Sequence, residues 1–189
     1  MKKINTSKEE NLIPQKKILF IGLDDSGKTS IIQSLKGKKN LPAFKNISPT
    51  KGRNIEDFRA FDSEFNIWDL GGQEMYREKY LKDFDEYIHR CNKVIYVIDV
   101  QNTKRYNLAL DYFEKVINLI KNNGDLKNIE ISVFLHKSDP DLKESRPDIT
   151  EENINDLKEK IKDIIKDTNL FYQIFKTSIY AIFEKIIVD

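Results

Sequence analysis

GLDDSGKT, at residues 22–29, follows directly after the apolar run KILFI at residues 17–21. The octapeptide matches G-x-x-x-x-G-K-[ST], the pattern of a phosphate loop, and the apolar run predicts the strand that precedes such a loop. Backbone amides of a phosphate loop gather at the N-terminus of the following helix, where the helix dipole also favours an anion. A chance match in a glycine-containing turn is the alternative. The order of strand, loop and predicted helix at residues 30–35 favours a site for a nucleoside triphosphate.

The individual residues of this loop have distinct expected roles. Lys28 is expected to neutralise the β- and γ-phosphates, and Thr29 is expected to ligate Mg²⁺. Gly22 and Gly27 supply backbone freedom and a close approach that a side chain would block. The predicted phosphate-binding residues of this segment are Asp24, Asp25, Ser26, Gly27, Lys28, Thr29 and Ser30.

The composition limits the class of protein. The 189 residues suit one domain, and 32 basic residues almost balance 31 acidic ones, which leaves a net charge of +1. This balance argues against nucleic acid or an anionic membrane as a bulk polyelectrolyte partner. The single cysteine, Cys91, excludes a disulfide framework within the chain and is interpreted as a buried apolar residue rather than a reactive thiol. Since no apolar run is long enough to cross a membrane and no signal-peptide pattern is present, we expect a cytoplasmic protein.

Strand and helix patterns alternate along the chain. Residues 1–15 are polar and lysine-rich and are predicted to form a flexible tail, so the domain is predicted to span residues 16–189. Strand-like patterns lie at residues 17–21, 55–61, 65–68, 93–99, 131–135 and 170–175. Helix-like patterns lie at residues 108–120 and 154–165, with a short closing helix at residues 181–188. This alternation predicts an α/β fold with a mostly parallel, doubly wound sheet and a ligand at the carboxyl ends of its strands.

A second group of candidate residues, WDLGGQE at residues 68–74, follows a predicted strand. Asp69 is expected to hold Mg²⁺ through a water molecule, and the Gly72 amide is expected to approach the γ-phosphate, where a side chain would be too crowded. Gln73 is expected to orient the attacking water. Each residue also has a plainer interpretation, as an acidic turn former, a tight glycine turn or a surface amide. The phosphate loop upstream favours the metal and γ-phosphate site.

With these two motifs the chain resembles the small GTPases of the Ras superfamily, and more closely their Arf, Sar and Rag branch. The resemblance covers nearly the whole chain after the tail, and PTKGRNIE at residues 49–56 is similar to the first switch of Arf proteins. It implies a three-layer P-loop NTPase fold with a six-stranded sheet, GTP and GDP as ligands, and Mg²⁺ as cofactor. It also implies that Thr50 closes over Mg²⁺ and the γ-phosphate. Lys28, Thr50 and Gln73 are then the catalytic candidates, and Thr29, Thr50 and Asp69 the metal-binding ones.

The residues expected to contact the base resemble those of Rag proteins. HKSD at residues 136–139 replaces the family's Asn-Lys-x-Asp motif, and TSI at residues 177–179 resembles the Rag version of the last base-contacting loop. The base-binding residues implied by this resemblance are His136, Lys137, Asp139, Ser178 and Ile179. The Asp139 carboxylate can accept hydrogen bonds from N1 and the 2-amino group of guanine, which adenine does not offer, and this favours guanine. His136 has two possible roles, a base contact or a core-lining histidine bonded to loop backbone.

The resemblance also implies how the protein would act. GTP is expected to order two loops, residues 37–54 and 71–80, and hydrolysis is expected to release them, so that partners distinguish the two states. Exchange factors, GTPase-activating proteins and effectors are therefore the expected partners. Apolar residues in or beside these loops are candidates either for a partner surface or for core packing. They are Phe44, Ile47, Met75, Tyr76 and Tyr80.

Intrinsic hydrolysis is expected to be slow, because the basic residues near the motifs are predicted to face solvent. These residues are Arg53, Arg59, Arg77 and Lys79. An activating protein is expected to supply an arginine or to reposition Gln73. Lys2 stands where N-myristoylation requires glycine, and the chain has no terminal cysteine, so no stable direct membrane anchor is expected and any recruitment to membranes would depend on partners. The alternative functions are a scaffold that holds a nucleotide permanently and an ATP-using protein of the same fold.

Overall fold

The computed structural model describes residues 15–37, 47–60, 63–123 and 129–179. The strands within these residues are β1 Gln15–Gly22, β2 Arg53–Ala60, β3 Ser63–Leu70, β4 Cys91–Asp99, β5 Glu130–His136 and β6 Phe171–Lys176. The helices are α1 Lys28–Leu35, α2 Glu74–Lys82, α3 Phe84–Ile88, α4 Tyr106–Asn122, α5 Leu142–Ser145 and α6 Glu151–Ile165. A 3₁₀ turn, Thr103–Arg105, precedes α4.

The strands form one sheet in the order β2-β3-β1-β4-β5-β6. β2 and β3 are antiparallel, and every other neighbouring pair is parallel. A parallel strand that is covered on both faces has a near-continuous apolar sequence, and β4 is of this kind, with every residue from Val94 to Ile98 buried. The predicted α/β fold with a mostly parallel six-stranded sheet is therefore confirmed.

Alternate side chains of the central strands pack on opposite faces of the sheet. Leu19 of β1 and Tyr96 of β4 belong to the larger apolar cluster, which also holds the buried faces of α4 and α6. Phe20 and Val97, their neighbours along the chain, pack with Ile32 of α1 on the other face. Because side chains alternate along a strand, the two clusters give the three-layer arrangement of helix, sheet and helix.

The two long helices lie where their apolar periodicity predicts them. α6 begins after Thr150, whose Oγ1 accepts a hydrogen bond from Asn153 N at 3.2 Å, while Asn153 Oδ1 accepts one from Thr150 N at 3.0 Å. This reciprocal pair is a capping box, and Glu151 and Glu152 in the first turn suit the positive end of the helix dipole.

The predicted loop at residues 71–80 is wrong from Glu74 onward, because α2 spans Glu74–Lys82. Its sequence, EMYREKYLK, buries Tyr80 and half-buries Tyr76 one turn earlier. Leu81 also packs against the larger apolar cluster, but apolar contacts confined to residues 76–81 are too short a stripe to indicate a helix. The other predicted loop is shorter than expected at its end, since β2 begins at Arg53.

Some predicted features lie outside the described residues. They are residues 1–14 of the tail, Phe44 and the closing helix at residues 181–188. Gln15, assigned to the tail from the sequence, is the first residue of β1. Among the described helices, none is both long enough and apolar enough to cross a membrane.

Candidate functional site

The phosphate loop joins β1 to α1 through a tight turn. Gly27 has φ 93°, in the left-handed region that favours glycine, and a Cβ at Gly22 would lie 2.4 Å from the carbonyl oxygen of Val97 on β4. The Lys28 side chain is buried, and its Nζ donates to the carbonyl oxygens of Gly22 and Leu23 at 3.1 and 2.7 Å. Burial lowers the pKa of Lys28 to about 8. A desolvated cation therefore lies within the loop, where an anion would stabilise its charge.

Three oxygen-bearing side chains converge next to this lysine. Thr29 Oγ1 and Thr50 Oγ1 donate to Asp69 Oδ2 at 2.5 and 3.0 Å, and the two hydroxyl oxygens lie 3.1 Å apart. Asp69 is 2% exposed, and its other oxygen, Oδ1, is buried without a hydrogen-bond partner among the described residues. Burial raises the pKa of Asp69, although the two hydroxyls favour its charged form. An unpartnered carboxylate oxygen beside two hydroxyls is a donor set that suits Mg²⁺, since this ion prefers oxygen ligands.

The two glycines after β3 are in close contact with backbone atoms of other segments. A Cβ at Gly72 would lie 2.1 Å from Asp24 N in the phosphate loop. A Cβ at Gly71 would lie 2.4 Å from the carbonyl oxygen of Thr50. Side chains at these positions would therefore force backbone apart, so the glycines are needed for packing as well as for any approach to a phosphate.

A cavity of about 360 Å³ opens between these segments. It is lined by Asp24, Asp25, Gly27, Lys28, Thr29, Ser30, Ile47, Ser48, Pro49, Thr50, Gly72 and Gln73. The structure thus brings together around one cavity all the predicted phosphate-binding residues except Ser26. The Ser26 side chain is buried, with its Oγ 3.5 Å from Lys28 Nζ.

His136, the last residue of β5, packs against the phosphate loop. Its side chain is 3% exposed, its Nδ1 lies 3.0 Å from Thr177 Oγ1, and a Cβ at Gly27 would lie 2.4 Å from its Cδ2. Burial lowers the pKa of His136 to about 4, so the ring is neutral near neutral pH. The ring therefore packs against the phosphate loop, and its hydrogen-bond partner is the Thr177 hydroxyl rather than loop backbone, while a base contact by His136 stays a prediction.

The other predicted base-binding residues follow β5 and β6 in the chain. Asp139 accepts hydrogen bonds from Ser178 Oγ and from Gln101 Nε2, the latter at 2.8 Å. Gln101 Nε2 also donates to the carbonyl oxygen of Lys137 at 2.9 Å, so Gln101 links Lys137 to Asp139. Ile179 follows with 37% of its surface exposed. Sequence reasoning missed Gln101, whose only signal is its position just after the buried strand β4.

Replacing His136 by asparagine is expected to destabilise the fold by about 1–2 kcal/mol and to change GTP affinity less than about threefold, because the ring serves packing.

The free energy of unfolding of the wild-type protein is expected to fall by about 2 kcal/mol between about pH 7 and about pH 5 through His136 alone. The folded pKa of about 4 lies below the ordinary 6.5, so the unfolded chain binds the proton first. The stabilising contribution of the neutral His136 ring is therefore fully present above pH 6.5 and is lost as the pH falls toward 4.

Chemical denaturation of wild type and variant at both pH values measures these effects. His89→Asn is the matched control, since His89 is the chain's other histidine and is exposed. A variant with the pH dependence of wild type would contradict the assignment to His136.

Comparisons with known proteins identify the family of this chain. Residues 17–188, nearly the whole chain, match the family model described as Gtr1/RagA G protein conserved region. The chain belongs to the Arf/Rag branch of the Ras-superfamily small GTPases.

Two relatives and one solved structure show how far the similarity extends. ADP-ribosylation factor-related protein 1 of Rattus norvegicus is 33% identical over 136 residues, which are 70% of this chain and 64% of that protein. ADP-ribosylation factor-like protein 3 of Caenorhabditis elegans is 29% identical over 135 residues, 71% of this chain and 67% of the relative. The match to the first relative thus spans less than two thirds of its length. The structure of the Arl6 BBS3 small GTPase from Trypanosoma brucei with bound GppNp has a TM-score of 0.63 and 20% identity over 87% of each chain, and shows the shared fold.

The basic residues near the site of this small GTPase have two different environments. Arg53, Arg59 and Lys79 are exposed, as predicted. The prediction is wrong for Arg77, which is 9% exposed and donates from Nε to the carbonyl oxygen of Gly72 at 3.0 Å. Its place on α2, on the same side as the buried Tyr80, turns it toward the core.

The apolar candidates at residues 71–80 of this small GTPase also differ in burial. Tyr80 is 3% exposed, and its hydroxyl donates to the carbonyl oxygen of Gly52 at 2.7 Å. Gly71 N donates to the same oxygen at 2.8 Å. Tyr76 packs against the main apolar cluster, whereas Met75 is 66% exposed. Core packing therefore accounts for both tyrosines, and Met75 stays a candidate for a partner surface.

Proposed function

We propose that this chain is a molecular switch that binds GTP and GDP with Mg²⁺, hydrolyses GTP slowly and changes its affinity for partner proteins with the nucleotide state. The observation that carries the proposal is the single cavity lined by Lys28, Thr29, Thr50 and Gln73, with Asp69 bonded to both threonines. These groups supply a cation for phosphates, oxygens for a metal and an amide for water. A protein that only holds a nucleotide has use for the first two groups but not for Gln73.

Thr29, Thr50 and Asp69 are the residues that would hold Mg²⁺. The unpartnered Asp69 Oδ1 supports this assignment, because a buried carboxylate oxygen without a partner is costly. Each threonine hydroxyl keeps acceptor capacity while it donates to Asp69. Mg²⁺ would supply positive charge next to the phosphate oxygens when bound.

Asp139 is the residue that would select guanine. A carboxylate has about four acceptor positions, so Asp139 can keep its bonds from Ser178 and Gln101 and still accept two from guanine. Adenine has an acceptor at N1 and no 2-amino group, so it would leave two of these acceptor positions without donors and place its own N1 acceptor against the carboxylate.

The arrangement supports slow hydrolysis in the absence of another protein. Among the described residues that line the cavity there is no arginine, and Arg77 and Arg105 bond to Gly72 and Asp24. A GTPase-activating protein would therefore supply an arginine or reposition Gln73. An exchange factor and effectors complete the proposed partners, and we propose the cytoplasm as the location, with any membrane recruitment through partners.

The first test is equilibrium competition of GTP, GDP and ATP against a fluorescent guanine nucleotide on nucleotide-free protein with Mg²⁺. Tight GTP and GDP binding with ATP at least about a hundredfold weaker, about 2.7 kcal/mol, is the expected result. Comparable ATP binding would overturn the base assignment. A single-turnover assay then separates a slow GTPase from a protein that holds its nucleotide unchanged.

Replacing Gln73 by leucine is expected to leave GTP affinity within about threefold and to lower intrinsic single-turnover hydrolysis about tenfold, because the amide that would orient water is lost. Gln173→Leu is the matched control, since Gln173 is exposed on β6. Equal hydrolysis rates for wild type and Gln73→Leu would show that another group positions the water.

A further inference from the structure

Arg105, at the end of the 3₁₀ turn after β4, is bonded to Asp24 in the phosphate loop. One guanidinium nitrogen lies 2.6 Å from Asp24 Oδ1. The other donates to Asp24 Oδ2 at 3.4 Å and to the Asp24 carbonyl oxygen at 3.2 Å. One guanidinium thus contacts the side chain and the backbone of a single loop residue, and lysine cannot reproduce this planar fork. Sequence reasoning did not single out Arg105, which lies 81 positions from Asp24.

Asp24 is a negative charge at the wall of the candidate phosphate cavity. Hydrogen bonds from Arg105 hold the pKa of Asp24 below its usual range, so its carboxylate is charged at neutral pH. A carboxylate without a partner would repel phosphate groups in a partly desolvated site. Arg105 does not line the cavity itself, so any effect of Arg105 on a ligand there passes through Asp24 or through its long-range charge.

Both charges also act on Lys28. Asp24 raises the pKa of Lys28 and Arg105 lowers it, while burial is the dominant cause of its lowered value. The backbone of Asp24 is held from a second side, because Gly72 packs directly against Asp24 N. Asp24 is therefore the point where the 3₁₀ turn, the phosphate loop and the turn before α2 meet.

We propose that Arg105 is a positioning residue that fixes Asp24 and cancels its charge, and that it thereby sets the preference of the site for GTP over GDP. The inference rests on the proposed function, since it assumes that the cavity takes a guanine nucleotide. GTP carries one more phosphoryl group than GDP, so an uncancelled Asp24 charge weakens GTP binding more than GDP binding. The effect is on the ratio of the two affinities.

The test measures dissociation constants of GDP and of a non-hydrolysable GTP analogue with Mg²⁺. Arg105→Gln is expected to shift the affinity ratio toward GDP about tenfold, and Arg105→Lys, which keeps the charge, less than about threefold. In an Asp24→Asn background the Arg105→Gln shift should fall below about twofold, because no charge is left to cancel. Asp24→Asn alone should shift the ratio toward GTP by no more than about twofold, because Arg105 already cancels most of the charge that this change removes.

Arg59→Gln is the matched control, because it removes an exposed arginine that pairs with Glu64 near the opposite end of β2 from the cavity. Equal loss of GTP and GDP affinity in Arg105→Gln, an unchanged ratio, or a shift that persists with Asp24→Asn would overturn the inference. A ratio moved toward GDP by Asp24→Asn alone would also overturn it, even if Arg105→Gln does not fold. Wild-type protein that binds neither nucleotide would refute the proposed function itself, and this inference with it.

Discussion

Replacing Lys28 by alanine is expected to weaken GTP binding at least about a hundredfold, about 2.7 kcal/mol. The Lys28 ammonium group is held within the phosphate loop by the carbonyl oxygens of Gly22 and Leu23, so it needs little rearrangement to meet a phosphate. Its charge is desolvated, and a desolvated charge interacts strongly with an anion. Alanine removes this charge and also leaves the two carbonyl oxygens without their donor.

The loss of those hydrogen bonds means that stability must be measured together with affinity. Thermal unfolding shows whether the variant is folded, and fluorescent-nucleotide titration measures its binding. Lys104→Ala is the matched control, because Lys104 is exposed on the 3₁₀ turn. A folded Lys28→Ala protein with wild-type GTP affinity would falsify the assignment of the cavity to phosphates.

The second large effect is expected for Gly72→Ala. The added Cβ would lie 2.1 Å from both Asp24 N and the Leu23 carbonyl carbon, which are backbone atoms and cannot move aside as a flexible side chain would. The turn before α2 must therefore shift away from the phosphate loop. We expect GTP hydrolysis to fall at least about a hundredfold, since the shift displaces both the Gly72 amide that is proposed to meet the γ-phosphate and Gln73 next to it, and stability to fall by about 1–3 kcal/mol.

Single-turnover hydrolysis at saturating GTP and chemical denaturation measure the two effects. Gly37→Ala is the matched control, because Gly37 also has a positive φ, 79°, but a Cβ there would meet nothing within 4 Å. The control should show a backbone penalty in stability and no change in hydrolysis. Normal hydrolysis by folded Gly72→Ala would show that Gln73 is not positioned by this contact.

The sheet and the phosphate loop could be predicted from the sequence because their signals are local. KILFI gives a buried strand by its unbroken apolar run, and the glycines and Lys28 of GLDDSGKT fix a motif with a known order of elements. α4 and α6 are equally clear, since each repeats its apolar residues over several turns. α2 was missed because its core-facing apolar residues, Tyr76, Tyr80 and Leu81, cover little more than one turn.

The supporting contacts of the site could not be predicted in the same way. Arg77 is buried by a hydrogen bond to the carbonyl oxygen of Gly72 and by its approach to the Tyr112 ring, 5.3 Å from its centroid. Gln101 and Asp139 are 38 positions apart in the chain and become neighbours only because β4 and β5 are adjacent in the sheet. A polar residue whose partner is so distant in the sequence carries no pattern of its own.

The carbonyl oxygen of Gly52 links two parts of the molecule that are expected to respond to the nucleotide. It accepts hydrogen bonds from the backbone of Gly71, which precedes the cavity-lining residues Gly72 and Gln73, and from the hydroxyl of Tyr80 in the last half of α2. A displacement of residues 50–52 therefore either breaks both bonds or carries α2 along with it. A protein that touches only the exposed Met75 on α2 would in this way be sensitive to the position of Thr50 without any contact to it.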